Sequence, residues 1–205
     1  MGVIDAIKKI TEIGQEAAEN VGDSFTGLTG QSTDVSFLGT RFVPLERLPE
    51  QFSEDYCKIT KIDFDGILTG NSMLILPEVD AVKLEKLLLL DLIWDSLTNK
   101  TDMPDYKEME SSVINEVANI VLAAFLNVFA NELNGEINIT TPKFAKDAGF
   151  NVVESLVIEL MERNVEYALV FDTKIEVVGR FPLNCNILIM INPETINNLD
   201  KLYNQ

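Results

Sequence analysis

Apolar residues along the chain follow two different periods, and the switches between them mark out helices and strands. Between about residues 105 and 133 they recur at helical spacing. Ile114, Val117, Val121, Phe125, Val128 and Phe129 form one stripe, the helix opens near Pro104 and Asp105, and Asn134-Gly135 stops it before a strand at 136–141. An earlier stripe of Val3, Ile7, Ile10, Ile13 and Ala17 predicts a helix over residues 3–21, and the Gly- and Ser-rich run from Gly22 to Gly30 is expected to be helical only in part. Residues 33–43 read as a strand interrupted by Gly39, and 44–51 as a connector. Residues 55–76 alternate and are rich in branched side chains, so they predict two strands turning near Asp65-Gly66. Pro77 then opens a helix at whose end Trp94 is expected to cover core, and residues 98–104 link it to the long helix. Residues 143–163 are an extra segment whose middle fits helix or strand, and two further strand patterns follow at 165–178 and 183–191.

The segment LIMINPETINNLDKLY near the end of the chain echoes MLILPEVDAVKLEKLL at 73–88. Both run an apolar strand into Pro-Glu and a short helix. An internal duplication is therefore expected, in the order helix, strand, strand, strand, helix, with halves at about 1–97 and 104–205. Each half alone would leave a sheet edge and a helix face bare, and pairing them about a pseudo-two-fold axis buries both. The predicted fold class is α+β: one domain over 1–205, with a mostly antiparallel sheet, two long amphipathic helices and shorter ones.

Charge narrows the partners. The chain has 16 basic and 33 acidic residues, a net charge of −17, which disfavours nucleic acid and anionic membrane surfaces. Solubility in a salty or crowded cytoplasm explains the same charge equally well. No run of about 18 uninterrupted apolar residues predicts a membrane span, and the first residues lack a signal-peptide core. Ala6 stands where a myristoylation signal needs Ser or Thr, so a soluble cytoplasmic protein is expected. Cys57 and Cys185 sit singly in strand patterns and are expected to be buried thiols. The sequence contains no histidine, which removes Ser-His-Asp and Cys-His catalysis and histidine metal sites. No phosphate-binding glycine loop or nucleophile elbow is present, so any catalysis relies on carboxylates, amides or hydroxyls. No metal site and no cofactor of its own are expected.

Against the apolar stripe of the long helix, Ser112, Glu116 and Asn119 fall at about 0°, 40° and −20° around the axis, within one face. A carboxylate and a carboxamide are thus shown outward side by side. Read without Pro142, such residues are usually just a solvated helix face. Ser112-x3-Glu116-x2-Asn119-x22-Pro142 matches the spacing [Asp/Ser]-x3-Glu-x2-Asn-x22-Pro at all four positions. That signature resembles the CheC/CheX/FliY group of chemotaxis phosphatases, and the length and repeated architecture resemble CheC most.

The resemblance implies an enzyme that speeds hydrolysis of the aspartyl phosphate on the response regulator CheY, with the phosphate and Mg²⁺ belonging to CheY. It implies that Asn119 orients the attacking water and Glu116 pairs with a lysine of the regulator, while Ser112 and Pro142 support the motif. Phosphoryl transfer needs mainly positioning and electrostatics, which an amide and a carboxylate supply. In the first half, Lys8-x3-Glu12-x2-Gln15 keeps only the glutamate, and Leu38 stands at the position of Pro142. The longer Gln15 would shift the water and Lys8 inverts a charge, so Glu12 and Gln15 are read as a degenerate site. The alternative is a non-catalytic regulatory module that binds CheD, the receptor-modifying deamidase such proteins meet, or holds phosphorylated CheY without hydrolysing it.

Overall fold

The structure, a computed structural model, describes residues 3–99, 106–162, 165–178, 182–192 and 195. Its helices are α1 (Val3–Thr29), α2 (Glu78–Asn99), α3 (Tyr106–Glu132) and α4 (Gly149–Glu162). Its strands are β1 (Ser32–Pro44), β2 (Tyr56–Gly66), β3 (Gly70–Pro77), β4 (Ile137–Ile139), β5 (Lys143–Ala148), β6 (Tyr167–Val178) and β7 (Leu183–Ile191). Two short 3₁₀ turns, Leu45–Arg47 and Pro49–Gln51, join β1 to β2. The α+β class follows from one antiparallel sheet ordered β1-β6-β7-β3-β2-β4, with β5 also on β2. The expected side-chain role of Trp94, the helix start at Pro104 and Asp105, and the short helix after Pro193 lie outside the described residues.

Strand alternation divides the apolar residues between the two faces. Leu74, Leu76, Ile187, Ile189 and Ile191 pack on one side with Ile13, Phe25, Ile114, Phe125 and Phe129, beneath α1, α2 and α3. Met73, Ile75, Leu188 and Met190 pack on the other side under α4 and the 3₁₀ turns. Cys57 and Cys185 are free, buried thiols on these opposite faces, so they cannot pair. Burial raises the pKa of both, further helped at Cys57 by Asp55 and at Cys185 by Asp80. Residues Met109–Glu132 of α3 are long and apolar enough to cross a membrane by length and composition, but here their apolar side lies in the core.

Two expectations change. Helix α1 does not fade at Gly22 but runs to Thr29, because its stripe continues through the fully buried Phe25. Gly14 and Gly22 are packing residues: a Cβ at Gly14 would lie 2.6 Å from Cδ1 and Cε1 of Phe171, and one at Gly22 would lie 2.9 Å from Cγ2 of Val35. Small residues thus let α1 lie close on the sheet. Propensity alone would make every helical Gly→Ala stabilising. We therefore expect opposite signs at two sites. Gly27→Ala, with nothing within 4 Å of the new methyl, should raise unfolding stability by about 0.5–1 kcal/mol. Gly14→Ala should lower it by about 1–2 kcal/mol in urea titration, because overpacking outweighs propensity.

The ambiguous segment after residue 142 resolves into β5 followed by α4, whose Val153, Leu156, Val157 and Leu160 make a buried helical stripe. It is less of an insertion than its length suggests. β5 lengthens the strand begun by β4 along the same side of β2, and α4 packs on the 3₁₀ turns that follow β1. The sheet order reads the same when β1, β2 and β3 are exchanged for β4 with β5, β6 and β7. The 27-residue helices α1 and α3 pack on each other. The register that equates Glu12 with Glu116 equates Asn20 with Ala124, and Asn20 Nδ2 donates to Ala124 O at 2.9 Å. We propose that the two halves are copies of one unit packed about that crossing.

Candidate functional site

Helix α3 ends where its sequence turns. Gly135 N donates to Ala130 O at 3.0 Å, and Asn134 takes the left-handed conformation at φ 51°, closing the last carbonyls. The chain then reverses into β4, which pairs with Phe64–Gly66 of β2. Pairing breaks at Thr140–Pro142 and resumes with β5. Pro142 has no N–H to give a ladder, and Thr140 fills the gap. Its N–H donates to Asp63 O at 2.9 Å, and its Oγ1 accepts from Asp63 N at 3.0 Å. The motif proline therefore marks a kinked, interrupted strand facing α3. In the first half, β1 carries an irregularity between Phe37 and Gly39 near the corresponding position, and exposed Leu38 projects there.

Between α3 and this break lies a shallow, open cleft of about 500 Å³, lined by Ser112, Asn115, Glu116, Asn119 and by Ile139 through Pro142. All four motif residues therefore meet at one place. Ser112 and Glu116 are exposed at the rim, while Asn119 and Pro142 are half-buried. Glu116 enters no ion pair among the described residues, so its charge is available to an incoming cation. Lys8, Glu12 and Gln15 are exposed on the outer side of α1. No group of three or more acidic or cysteine side chains is placed to hold a metal among the described residues.

Two features of the site escape the spacing argument. Asn115 also lines the cleft, and Thr60 Oγ1 of β2 donates to its Oδ1 at 3.1 Å. Below the start of α3, Lys58 is buried with Glu85 of α2 at 2.6 Å and with Glu110 of α3. Burial alone would lower the Lys58 pKa, but hydrogen bonds and charge from Glu110 and Glu85 outweigh it and raise it. On the other side of the sheet, burial of Asp63 is outweighed by Lys61, Asn71 and Lys143, which lower its pKa. The helix is thus tied to β2 by buried and partly buried polar contacts, and the broken strand by exposed ones. The cleft can admit a compact polar group, present a carboxylate at its edge and hold a water against an amide within.

Residues 109–145 match the model of the CheC-like family. A Halobacterium salinarum protein provisionally named CheY-P phosphatase CheC1 is 22% identical over 172 residues, covering 84% of this chain and 83% of that one. Thermotoga maritima FliY has a similar fold, with a TM-score of 0.68 at 14% identity over 98% of this chain and 96% of that one. CheX in its complex with CheY, BeF₃ and Mg²⁺ from Borrelia burgdorferi gives a TM-score of 0.51 at 15% identity, covering 88% and 96%. FliM in the H. pylori FliG–FliM complex gives 0.63 at 12% identity, covering 94% and 97%.

Proposed function

We propose that this chain, CheC-like in its motif and fold, is a cytoplasmic phosphatase for the aspartyl phosphate of a CheY-type response regulator. The observation that carries the reading is the convergence of Ser112, Glu116, Asn119 and Pro142 on one open cleft. In this reading, α3 docks beside the regulator's acyl phosphate and its Mg²⁺. The metal is the regulator's and supplies charge neutralisation of the phosphoryl oxygens; no cofactor of this chain is required. Glu116 pairs with a lysine of the partner and sets the docked pose. A carboxylate close to the phosphoryl oxygens would be repelled, so its rim position suits pairing better than chemistry. The carboxamide of Asn119 accepts from and donates to a water in line with phosphorus. The water oxygen bonds to phosphorus as the aspartyl oxygen leaves with the electron pair of the P–O bond. One water proton stays on the phosphate and the other passes to solvent.

The test is phosphate release from phosphorylated CheY with Mg²⁺, with and without the chain. Acceleration by the wild type is expected. Glu116→Ala should weaken binding of the phosphorylated regulator by about tenfold, the scale of one lost charge pair at a partly open interface. Its measure is the protein concentration giving half-maximal rate. An unchanged half-maximal concentration would remove Glu116 from docking. A non-catalytic module for CheD or phosphorylated CheY is the second reading. The FliM-like fold favours it to this extent, that a protein of similar architecture occurs in a complex of FliG with FliM. Binding of phosphorylated CheY without faster phosphate release would establish it.

A further inference from the structure

Asn115 shares the motif face but belongs to none of its four positions. It lies one turn before Asn119 on α3, so the two carboxamides are stacked neighbours about 5–6 Å apart at Cβ. Both are half-buried at the inner side of the cleft, while Ser112 and Glu116 stand exposed at its edge. The two amides differ in what they can offer. Thr60 has no exposed surface, and its hydroxyl proton goes to Asn115 Oδ1 at 3.1 Å. Reversing the amide would turn the contact into an Nδ2–H donation to Thr60 Oγ1 and leave the buried hydroxyl proton without an acceptor among the described residues, which favours the orientation seen. With Oδ1 already accepting from Thr60, Asn115 keeps Nδ2, a donor of two protons, and among the described residues Nδ2 has no partner. Among the described residues Asn119 makes no such bond and keeps both donor and acceptor.

A free pair of N–H donors is matched to an oxygen that only accepts. Phosphoryl oxygens are of that kind, and they carry negative charge that exposed Glu116 opposes. We propose that Asn115 is a third working side chain of the cleft, its amide locked by Thr60 so that Nδ2 donates to a phosphoryl oxygen of an acyl phosphate presented by the partner. This rests on the phosphatase reading of the cleft and divides its labour. Asn119 handles the water, Asn115 the phosphoryl group, and Thr60 is a positioning residue that acts through Asn115.

The experiment compares wild type, Asn115→Ala, Asn115→Asp, Thr60→Val and the Thr60→Val, Asn115→Ala pair. Rates of phosphate release are measured from CheY phosphorylated with acetyl phosphate in Mg²⁺. Affinities are measured for beryllofluoride-bound and unmodified CheY. Asn115→Ala should lower the rate about tenfold and reduce the preference for the beryllofluoride form by a similar factor. Asn115→Asp should lower the rate by about a hundredfold or more, because a second carboxylate replaces the donor. Thr60→Val should cost about threefold in the wild type and nothing in the Asn115→Ala background. An Asn115 that only braces α3 on β2 would weaken both CheY forms equally, and that result overturns the proposal. If Asn115→Asp does not fold, the preference measured with Asn115→Ala decides alone. A wild type that does not accelerate release sinks the phosphatase reading and this proposal with it. A wild type that requires Glu116 and Asn119, with Asn115→Asp as fast as wild type, sinks this proposal only.

Discussion

Replacing Asn119 with alanine is expected to abolish nearly all of the phosphate release that the chain adds to the regulator's own rate, a fall of at least about a hundredfold. The size follows from the role proposed for the amide. Attack on phosphorus depends on a water held in line, and loss of that geometry by about an ångström costs this much. Affinity for the beryllofluoride form should change far less, since docking is assigned to Glu116, so the loss appears in turnover rather than in half-saturation. The same measurement bears on the first half of the chain. Glu12 and Gln15 are exposed on α1, with Lys8 in place of the motif's Ser or Asp and Leu38 in place of its proline. Substantial activity left in Asn119→Ala, removed by a further Gln15→Ala, would show that this second face works and would overturn its reading as degenerate.

The largest effect on stability is expected from Lys58→Met. Lys58 and Glu85 are each 1% exposed at the side chain, and Glu110 is 18% exposed. Removing Lys58 takes from the buried Glu85 and the partly buried Glu110 a charge that offsets their desolvation, at a cost of about 3–5 kcal/mol. Urea or thermal unfolding reads this directly, and a loss below about 1 kcal/mol would show that Lys58 does not compensate them. Replacing all three together by Met, Leu and Leu should recover most of the loss, because apolar residues of similar volume need no compensation. The pH dependence has a definite sign. The folded pKa of Lys58 is raised, so its contribution is complete below the ordinary lysine value of 10.5 and is lost only as pH climbs through the higher folded value. The wild type should therefore hold this contribution through neutral and mildly alkaline pH. The position matters for the cleft as well, since Glu110 lies half a turn before Ser112.

Local periodicity made the long helices and the paired strands legible. Ile114, Val117, Val121, Phe125 and Phe129 are all essentially fully buried, as their spacing required, and Val128 is half-buried at the margin. The spacing of Ser112, Glu116, Asn119 and Pro142 located the cleft, because three of these share one helix face and the fourth interrupts a facing strand. What stayed hidden depends on contacts between distant segments. Gly22 reads as a helix breaker until Val35 is seen against it. Val152 to Glu162 has an apolar pattern that either period accepts, and only the sheet face left open above Met73, Ile75 and Leu188 selects the helix. A lysine at position 58 in an alternating strand gives no hint that two carboxylates from separate helices close over it. Asn115 reads as one more polar helix residue until Thr60 is placed beneath it.

The first strand has one sheet neighbour among the described residues, β6, with Ser32 opposite Val178 and Pro44 opposite Tyr167. Almost the entire intervening polypeptide must be made before that edge can be zipped. Closing so wide a loop is entropically slow and gives the molecule a high contact order. During synthesis, α1 and β1 therefore wait with their apolar sides uncovered, a phase in which a nascent chain depends on chaperones or on its own acidity to avoid clumping.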